Sequence, residues 1–328
     1  MTLANKPNAI LTRLPPNTAY STAHGLMLNG KAEDVLRQQG MAFLRGKVQL
    51  IFTSPPFPLN TKKKYGNLKG DEYLEWFAGF GSLFRELLTP DGSIVIELGN
   101  SWEPGLPSMS TLGLKALLKF QEENRLHLCQ EFICHNPARL PSPAQWVTIE
   151  RIRLKDSYTR LWWLSPSERP KANNKNVLQP YSSSMKQLLK TKKFNAGKRP
   201  SEHQVSEGSF AVDHGGSIPP NVLSISNTAA SDPYQKFCRN NKIEFHPARM
   251  PSSLPEFFIK FLTDPDDIVL DPFGGSNTTG AAAEKLGRHW VATEPQKDYI
   301  RGSLGRFDLN RVRIASDEFA VCELGFEG

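Results

Sequence analysis

The sequence predicts an α/β fold built on a doubly wound, mostly parallel sheet. Gln49 to Thr53 is apolar on both faces, as a strand inside a parallel sheet is. Strand, helix, turn and strand follow in that order from Gln49 to Leu98, and nearer the C-terminus the strand Asp267–Leu270 runs through a glycine-rich turn into a helix and a further strand.

Residues 1–20 form a polar, proline-containing lead. After His24, Gly25-Leu26-Met27-Leu28 is a short strand ended by Asn29-Gly30, and Ala32 to Leu44 has helical spacing. Asp71 to Leu88 repeats apolar residues at helical intervals, and its aromatic stripe Trp76, Phe77, Phe80 and Phe84 is core. Pro90-Asp91-Gly92 turns the chain into strand Ser93–Leu98. Leu112 to Glu122 is a helix, and Leu126–His135 and Arg160–Leu164 are strands, with the Trp162-Trp163 pair placing one face in and one out. Between 166 and 240, Ser, Asn, Lys and Pro replace apolar residues, so that little remains for a core; the span reads as an insertion between 1–165 and 241–328. Pro255–Leu262 is helical, Asp267–Leu270 a strand, Ala281–Leu286 a helix and His289–Thr293 a strand closed by Glu294. No internal repeat is evident, and the last twenty or so residues carry no clear signal.

A chain of 328 residues with 39% hydrophobic content buries a sizeable core, in one large domain with an insertion or in two domains. No apolar run approaches the ~20 residues of a membrane helix, and Met1 to Pro16 lacks the apolar centre of a secretory signal, so a cytoplasmic protein is expected. Cys129, Cys134, Cys238 and Cys322 are scattered; they read as reduced thiols, and no metal site is expected. The net charge of +7 gathers partly in Lys186, Lys190, Lys192, Lys193, Lys198 and Arg199, which points to a polyanionic partner.

The turn Asp271-Pro272-Phe273-Gly274-Gly275-Ser276-Asn277-Thr278 places backbone N–H groups and a helix start at one point, a site for an anionic group. Ala281-Ala282 follows Gly280 where a P-loop needs Lys and Ser or Thr, and G-x-G-x-x-G is absent. What remains is one carboxylate at the helix start and a ribose diol gripped by an acidic residue at the end of the next strand, the position of Glu294. A ligand with both and no phosphate chain is S-adenosylmethionine; a purely structural tight turn is the other reading.

Thr53-Ser54-Pro55-Pro56-Phe57 ends the Gln49 strand. With this motif before Asp271-Pro272-Phe273-Gly274-Gly275, and with His246-Pro247-Ala248-Arg249-Met250-Pro251 and Glu294-Pro295-Gln296-Lys297-Asp298-Tyr299 on either side of the latter, the chain resembles the amino-methyltransferases of bacterial type II restriction-modification systems, in their circularly permuted β group. The resemblance covers all but the two ends and the insertion. It implies a Rossmann-like methyltransferase fold and transfer of methyl from S-adenosylmethionine to cytosine N4 or adenine N6 of a base flipped out of duplex DNA. In it Phe273, Gly274, Gly275 and Ser276 lie along the methionine part, with Asp271 and Pro272 also among the cofactor-binding residues, Thr278 near the carboxylate, and Glu294 on the ribose, while His246, Pro247 and Pro251 belong to a segment closing over the cofactor. Such families often have Gly-Asp after the first strand; here Lys31 follows Gly30, and Glu33 or Asp34 is left for the adenine contact.

An exocyclic amino group is a poor nucleophile because its lone pair is delocalised into the ring. Two acceptors on its N–H groups favour the pyramidal form, and Ser54 Oγ with the Pro55 carbonyl supplies them. Pro55 and Pro56 fix φ and add no competing donor, and Phe57 stacks on the base. Glu97, at a strand end, is placed for cytosine N3. Ser54 favours cytosine N4 in this family, with adenine N6, or RNA as substrate, as the alternatives. Cytosine C5 chemistry needs a cysteine presented after proline, and there is no Pro-Cys. The insertion stands where target recognition occurs in this group, with Arg169, Asn173, Asn174 and Arg199 suited to base edges and its lysines to phosphate; Lys62, Lys63 and Lys64 border the same cleft. A monomer is expected, because a newly replicated site needs one methyl on one strand. The sequence by itself does not show which bases are read; resemblance to one member of the group suggests the palindrome CAGCTG, modified on its inner cytosine, and the group implies an endonuclease partner in function without physical contact.

Overall fold

In a computed structural model, the described residues are 14–57, 68, 70–192, 197–198, 204–205, 212–226 and 232–321. The strands are β1 (Thr18–Ser21), β2 (Gly25–Asn29), β3 (Val48–Thr53), β4 (Leu88–Gly99), β5 (His127–His135), β6 (Tyr158–Ser165), β7 (Gly197–Lys198), β8 (Gln204–Val205), β9 (Val222–Ser224), β10 (Ile268–Asp271), β11 (His289–Glu294) and β12 (Arg313–Ile314). The helices are α1 (Ala32–Val35), α2 (Gly70–Ala78), α3 (Phe80–Leu87), α4 (Leu112–Glu123), α5 (Ser183–Thr191), α6 (Pro233–Asn240), α7 (Ser253–Leu262), α8 (Thr278–Lys285) and α9 (Lys297–Ser303).

Ten strands form one sheet in the order β12-β1-β2-β11-β10-β3-β4-β6-β5-β9. The central five, β2, β11, β10, β3 and β4, are parallel, and β6 is antiparallel to both β4 and β5. Both faces are covered, which is why these strands read as near-continuous apolar runs. On one face Leu26, Leu28, Ile94 and Ile96 pack with Phe77, Phe80, Phe84 and Phe120 of α2, α3 and α4. On the other, Met27, Leu50, Phe52, Val95 and Val269 pack with Leu254, Phe258, Ala282 and Ala283 of α7 and α8. Each such large side chain contributes ~1.5–3 kcal/mol of burial.

From β3 the chain continues to β4 on one side, and from β10 to β11 on the other. The two loops therefore diverge, and a crevice opens beyond the carboxyl ends of β3 and β10.

The doubly wound sheet and the aromatic core stripe are as expected; several elements differ. The span Ala32–Leu44 is not one helix: α1 stops at Val35 and a 3-10 stretch, Gln39–Leu44, follows. Gly40 costs a helix about 1 kcal/mol, while Met41 and Leu44 still reach the core. The Asp71 helix divides at Gly79 into α2 and α3. Pro90-Asp91-Gly92 lies inside β4, where pairing jumps from Val48 opposite Leu88 to Leu50 opposite Ser93, so the turn residues bulge out of the ladder. The polar lead supplies β1, with Tyr20 fully buried. Trp162 and Trp163 point to opposite faces, yet both are buried because helices cover each face.

Contacts divide the chain into residues 1–172 with 221–328, and residues 173–220. The smaller unit is narrower than the 166–240 span: β9 pairs with β5, and α6 carries the buried Tyr234 and Cys238 in the larger unit. Residues 173–220 contain α5 and the β7-β8 pair, and among their described residues only Gly216 is buried. No helix among the described residues is long and apolar enough to cross a membrane.

Candidate active site

A cavity of about 370 Å³ lies at the crevice, within the size range of small-molecule sites. One wall is Ser54, Pro55, Pro56, Phe57 and Glu97; the other is Phe273 to Ser276 with Thr278 and Glu294. The two motifs that lie more than two hundred residues apart in sequence thus share one space.

Asp271 joins their strands. Thr53, the last residue of β3, donates from Oγ1 to Asp271 Oδ1 at 2.9 Å; Phe273 N donates to the same oxygen at 3.1 Å, and Thr279 Oγ1 to Oδ2 at 2.7 Å. Burial pushes the Asp271 carboxyl up to about 6, against the pull of these three bonds.

Beyond Asp271 the chain must turn at once. Gly275 has φ +51°, and a Cβ there would lie 2.9 Å from His246 Nε2, so glycine alone suits the position. Its N–H donates to Glu294 Oε2 at 2.9 Å, and Gln296 N donates to Oε1 at 2.8 Å. Burial pushes Glu294 up to about 7. Asn277, fully buried and left-handed at φ 54°, caps α8 by accepting from Gly280 N, and donates to Tyr20 Oη. Arg306 donates to the Ser276 carbonyl and to Ser276 Oγ, which fixes the outer edge of the turn.

On the opposite wall Glu97 is half-buried and burial pushes its carboxyl up. Thr159 Oγ1 donates to Oε1 at 2.9 Å, the Ser54 side chain also hydrogen-bonds it, and the Arg139 charge favours the ionised form. A hydroxyl that gives its proton to Glu97 presents its lone pairs elsewhere, so Ser54 Oγ is oriented as an acceptor. Phe57 lies against Gly99, where a Cβ would come within 2.5 Å of its ring. His246 N donates to Tyr234 Oη at 2.9 Å, and its ring meets Tyr299 edge-on at 4.6 Å.

The residues suit S-adenosylmethionine. Each Glu294 oxygen receives one backbone N–H and keeps a further lone pair for a diol hydroxyl. The missing Cβ of Gly275 leaves room beside it, and Thr278 stands at the start of α8, where a carboxylate is favoured.

Other expected residues fall elsewhere. Pro251 lines the cavity, but Pro247 and Pro272 do not; the Pro272 carbonyl accepts from Thr293 Oγ1. Glu33 accepts from Trp76 Nε1, whose ring packs on Phe273, and Asp34 is exposed; neither lines the cavity. Arg169, Lys186, Lys190 and Lys192 are exposed. Lys62, Lys63, Lys64, Lys193 and Arg199 lie outside the described residues, as does the side chain of Lys198.

Sequence reasoning missed Asn136, Arg139 and Thr159 on the cavity wall, and Arg306 behind the turn. A signal was present: Pro137-Ala138-Arg139-Leu140-Pro141 repeats the pattern of Pro247-Ala248-Arg249-Met250-Pro251, and both copies reach the same cavity.

The DNA methylase family model matches residues 48–304. The chain is 42% identical over 296 residues to the type II methyltransferase M.PvuII of Proteus hauseri, an alignment covering 90% of this chain and 87% of that one. The chain belongs to the DNA methylase family. Among solved structures, the PvuII DNA methyltransferase (cytosine-N4-specific) superposes with a TM-score of 0.71 at 37% identity, covering 89% of each chain. The M1.HpyAVI-SAM complex shares the fold, with a TM-score of 0.52 at 22% identity over 86% of this chain and 98% of that one. The fold of this DNA methylase is therefore the Rossmann-like methyltransferase sheet, and the protein is a DNA methyltransferase.

Proposed function

We propose that this DNA methylase transfers a methyl group from S-adenosylmethionine to N4 of a cytosine flipped out of duplex DNA, as the modification enzyme of a type II restriction-modification system. The observation that carries the reading is that Ser54-Pro55-Pro56 and the Gly275–Glu294 pocket are walls of one cavity. Glu294 holds the ribose diol, Gly274 to Ser276 border the methionine part, and Thr278 faces its carboxylate. The sulfonium of the bound cofactor supplies an electrophilic methyl.

Ser54 Oγ, oriented by Glu97, and the Pro55 carbonyl accept the two N–H groups of the amine, which turns its lone pair out of the ring π system. As positive charge builds on N4 these two bonds strengthen, so they stabilise the transition state more than the ground state. Burial pushes the Glu97 carboxyl up, towards the protonated form that can donate to the lone pair of N3, and the carboxyl also takes the Ser54 and Thr159 bonds. Phe57, steadied against Gly99, stacks on the base.

The insertion residues Arg169, Lys186, Lys190, Lys192, Lys193, Lys198 and Arg199 meet DNA, and the duplex site is CAGCTG. The enzyme acts in the cytoplasm as a monomer, alongside an endonuclease of the same specificity. Methylation of CAGCTG duplex with labelled cofactor, followed by digestion to nucleosides, gives N4-methylcytosine under this reading. N6-methyladenine as product, or transfer to RNA alone, would overturn it.

A further inference from the structure

The antiparallel pair β5-β6 ends at the cavity, with Cys134, Asn136, Arg139 and Thr159 on its wall. The connection between these strands is an arm whose legs are tied together. Asn136 N donates to the Ser157 carbonyl at 2.8 Å, Asp156 N to the Ser142 carbonyl at 3.0 Å, and Lys155 Nζ to the Pro137 and Arg139 carbonyls. Asn100 Nδ2 donates to Asp156 Oδ1 at 2.8 Å, which fastens the arm to the end of β4.

This braced arm carries the two most exposed large apolar side chains among the described residues, Leu154 at 90% and Leu140 at 80%. Leu140 directly follows Arg139 of the cavity wall, and Leu154 directly precedes Lys155, whose Nζ donates to the Arg139 carbonyl. Apolar side chains held out in water by a rigid frame are unfavourable unless something covers them. The arm carries four cations, Arg139, Arg151, Arg153 and Lys155, against the two carboxylates Glu150 and Asp156, a surplus that suits a cover of negative charge.

A flipped nucleotide leaves an apolar gap in the base stack directly over the pocket that receives it, framed by phosphates. We propose that Leu140 and Leu154 enter the DNA at the target site and occupy that gap, while the arm's cations meet the backbone. Pro137, Pro141 and Pro143 stiffen the leg that presents Leu140, so little entropy is lost on insertion.

This inference rests on the methyl-transfer reading, and single-turnover methylation by the full chain separates the two. The substrates are a duplex with the target cytosine paired to guanine and the same duplex with an abasic site opposite it, where no pairing resists extrusion. The Leu140→Ser/Leu154→Ser variant is expected to slow transfer to the paired duplex about tenfold and to leave the abasic-opposed duplex within about twofold of the unaltered chain. Leu140→Met/Leu154→Met restores the paired rate, and unchanged cofactor affinity in both variants shows that the fold is intact. Equal slowing on both substrates, or none, would overturn the proposal. So would a change of oligomeric state in sedimentation without a change in transfer, which would place a second copy on the arm instead of DNA. Absence of transfer by the unaltered chain would refute the underlying reading and the arm's role with it.

Discussion

Three side chains at the cavity carry distinct consequences. In the proposed mechanism the bond from the amine to Ser54 is strongest in the transition state, so Ser54→Ala is expected to lower kcat by about 10²–10³. The cofactor dissociation constant, measured by titration calorimetry, should be unchanged; an equal loss of both would contradict the assigned role. Gly275 sits in the left-handed region against His246, and Gly275→Ala is expected to weaken cofactor binding by about tenfold or more through backbone strain. Glu294 makes the site pH-dependent. Its carboxyl rises from 4.5 to about 7 on folding, so between these values the folded chain holds a proton that the unfolded chain has lost. The stability it contributes is complete below about 4.5 and is lost as pH rises through about 7. A diol donating to Glu294 favours the ionised form, so cofactor affinity should strengthen as pH rises through the same value, with proton release in calorimetry. Glu294→Gln should abolish that release.

At the scale of elements, the Thr53–Asp271 bond joins the strand bearing the Ser54 loop to the strand bearing the glycine turn. Both groups are buried, so Thr53→Val is expected to cost about 1.5–3 kcal/mol, the value of a hydrogen bond to a charged group. It should also raise the Asp271 carboxyl above its present position near 6, because the lost bond favours ionisation. Chemical denaturation and carboxyl titration by NMR read these two effects independently. The same junction explains why α8 begins with six small residues: Thr278 to Ala283 lie against β10 and β11, and larger side chains would lift the helix start from the turn it caps.

At the scale of the molecule, the described residues of 173–220 contribute no strand to the ten-stranded sheet and none of them lines the cavity wall. Replacing them by a flexible linker is expected to leave cofactor affinity intact while abolishing preference for the target duplex in competition binding. Loss of cofactor binding would instead assign this unit a part in the main fold. The proposed DNA contact suits the charge placement: Lys186, Lys190 and Lys192 are exposed in a unit whose described residues are almost all unburied, where cations retain their hydration until a polyanion arrives.

Ser54-Pro55-Pro56-Phe57, the Asp271–Gly275 turn and Glu294 were legible because their chemistry is local: a strand end, a glycine that needs positive φ, and a carboxylate at the next strand end each leave a mark within a few residues. Periodicity located the aromatic core for the same reason. Thr159 and Arg306 left no such mark, since a polar residue reads alike whether solvated or turned into a cavity, and only packing distinguishes the two. The lead strand β1 was hidden likewise, its place set by pairing with β2 and β12. The sequence by itself determined the chemistry available at each strand end and the layering of the sheet. Tertiary structure alone decided that β3 and β10 are neighbours at the point where the connections diverge, because adjacency of distant strands depends on chain topology and on a buried Thr–Asp bond, neither of which any short window of residues contains.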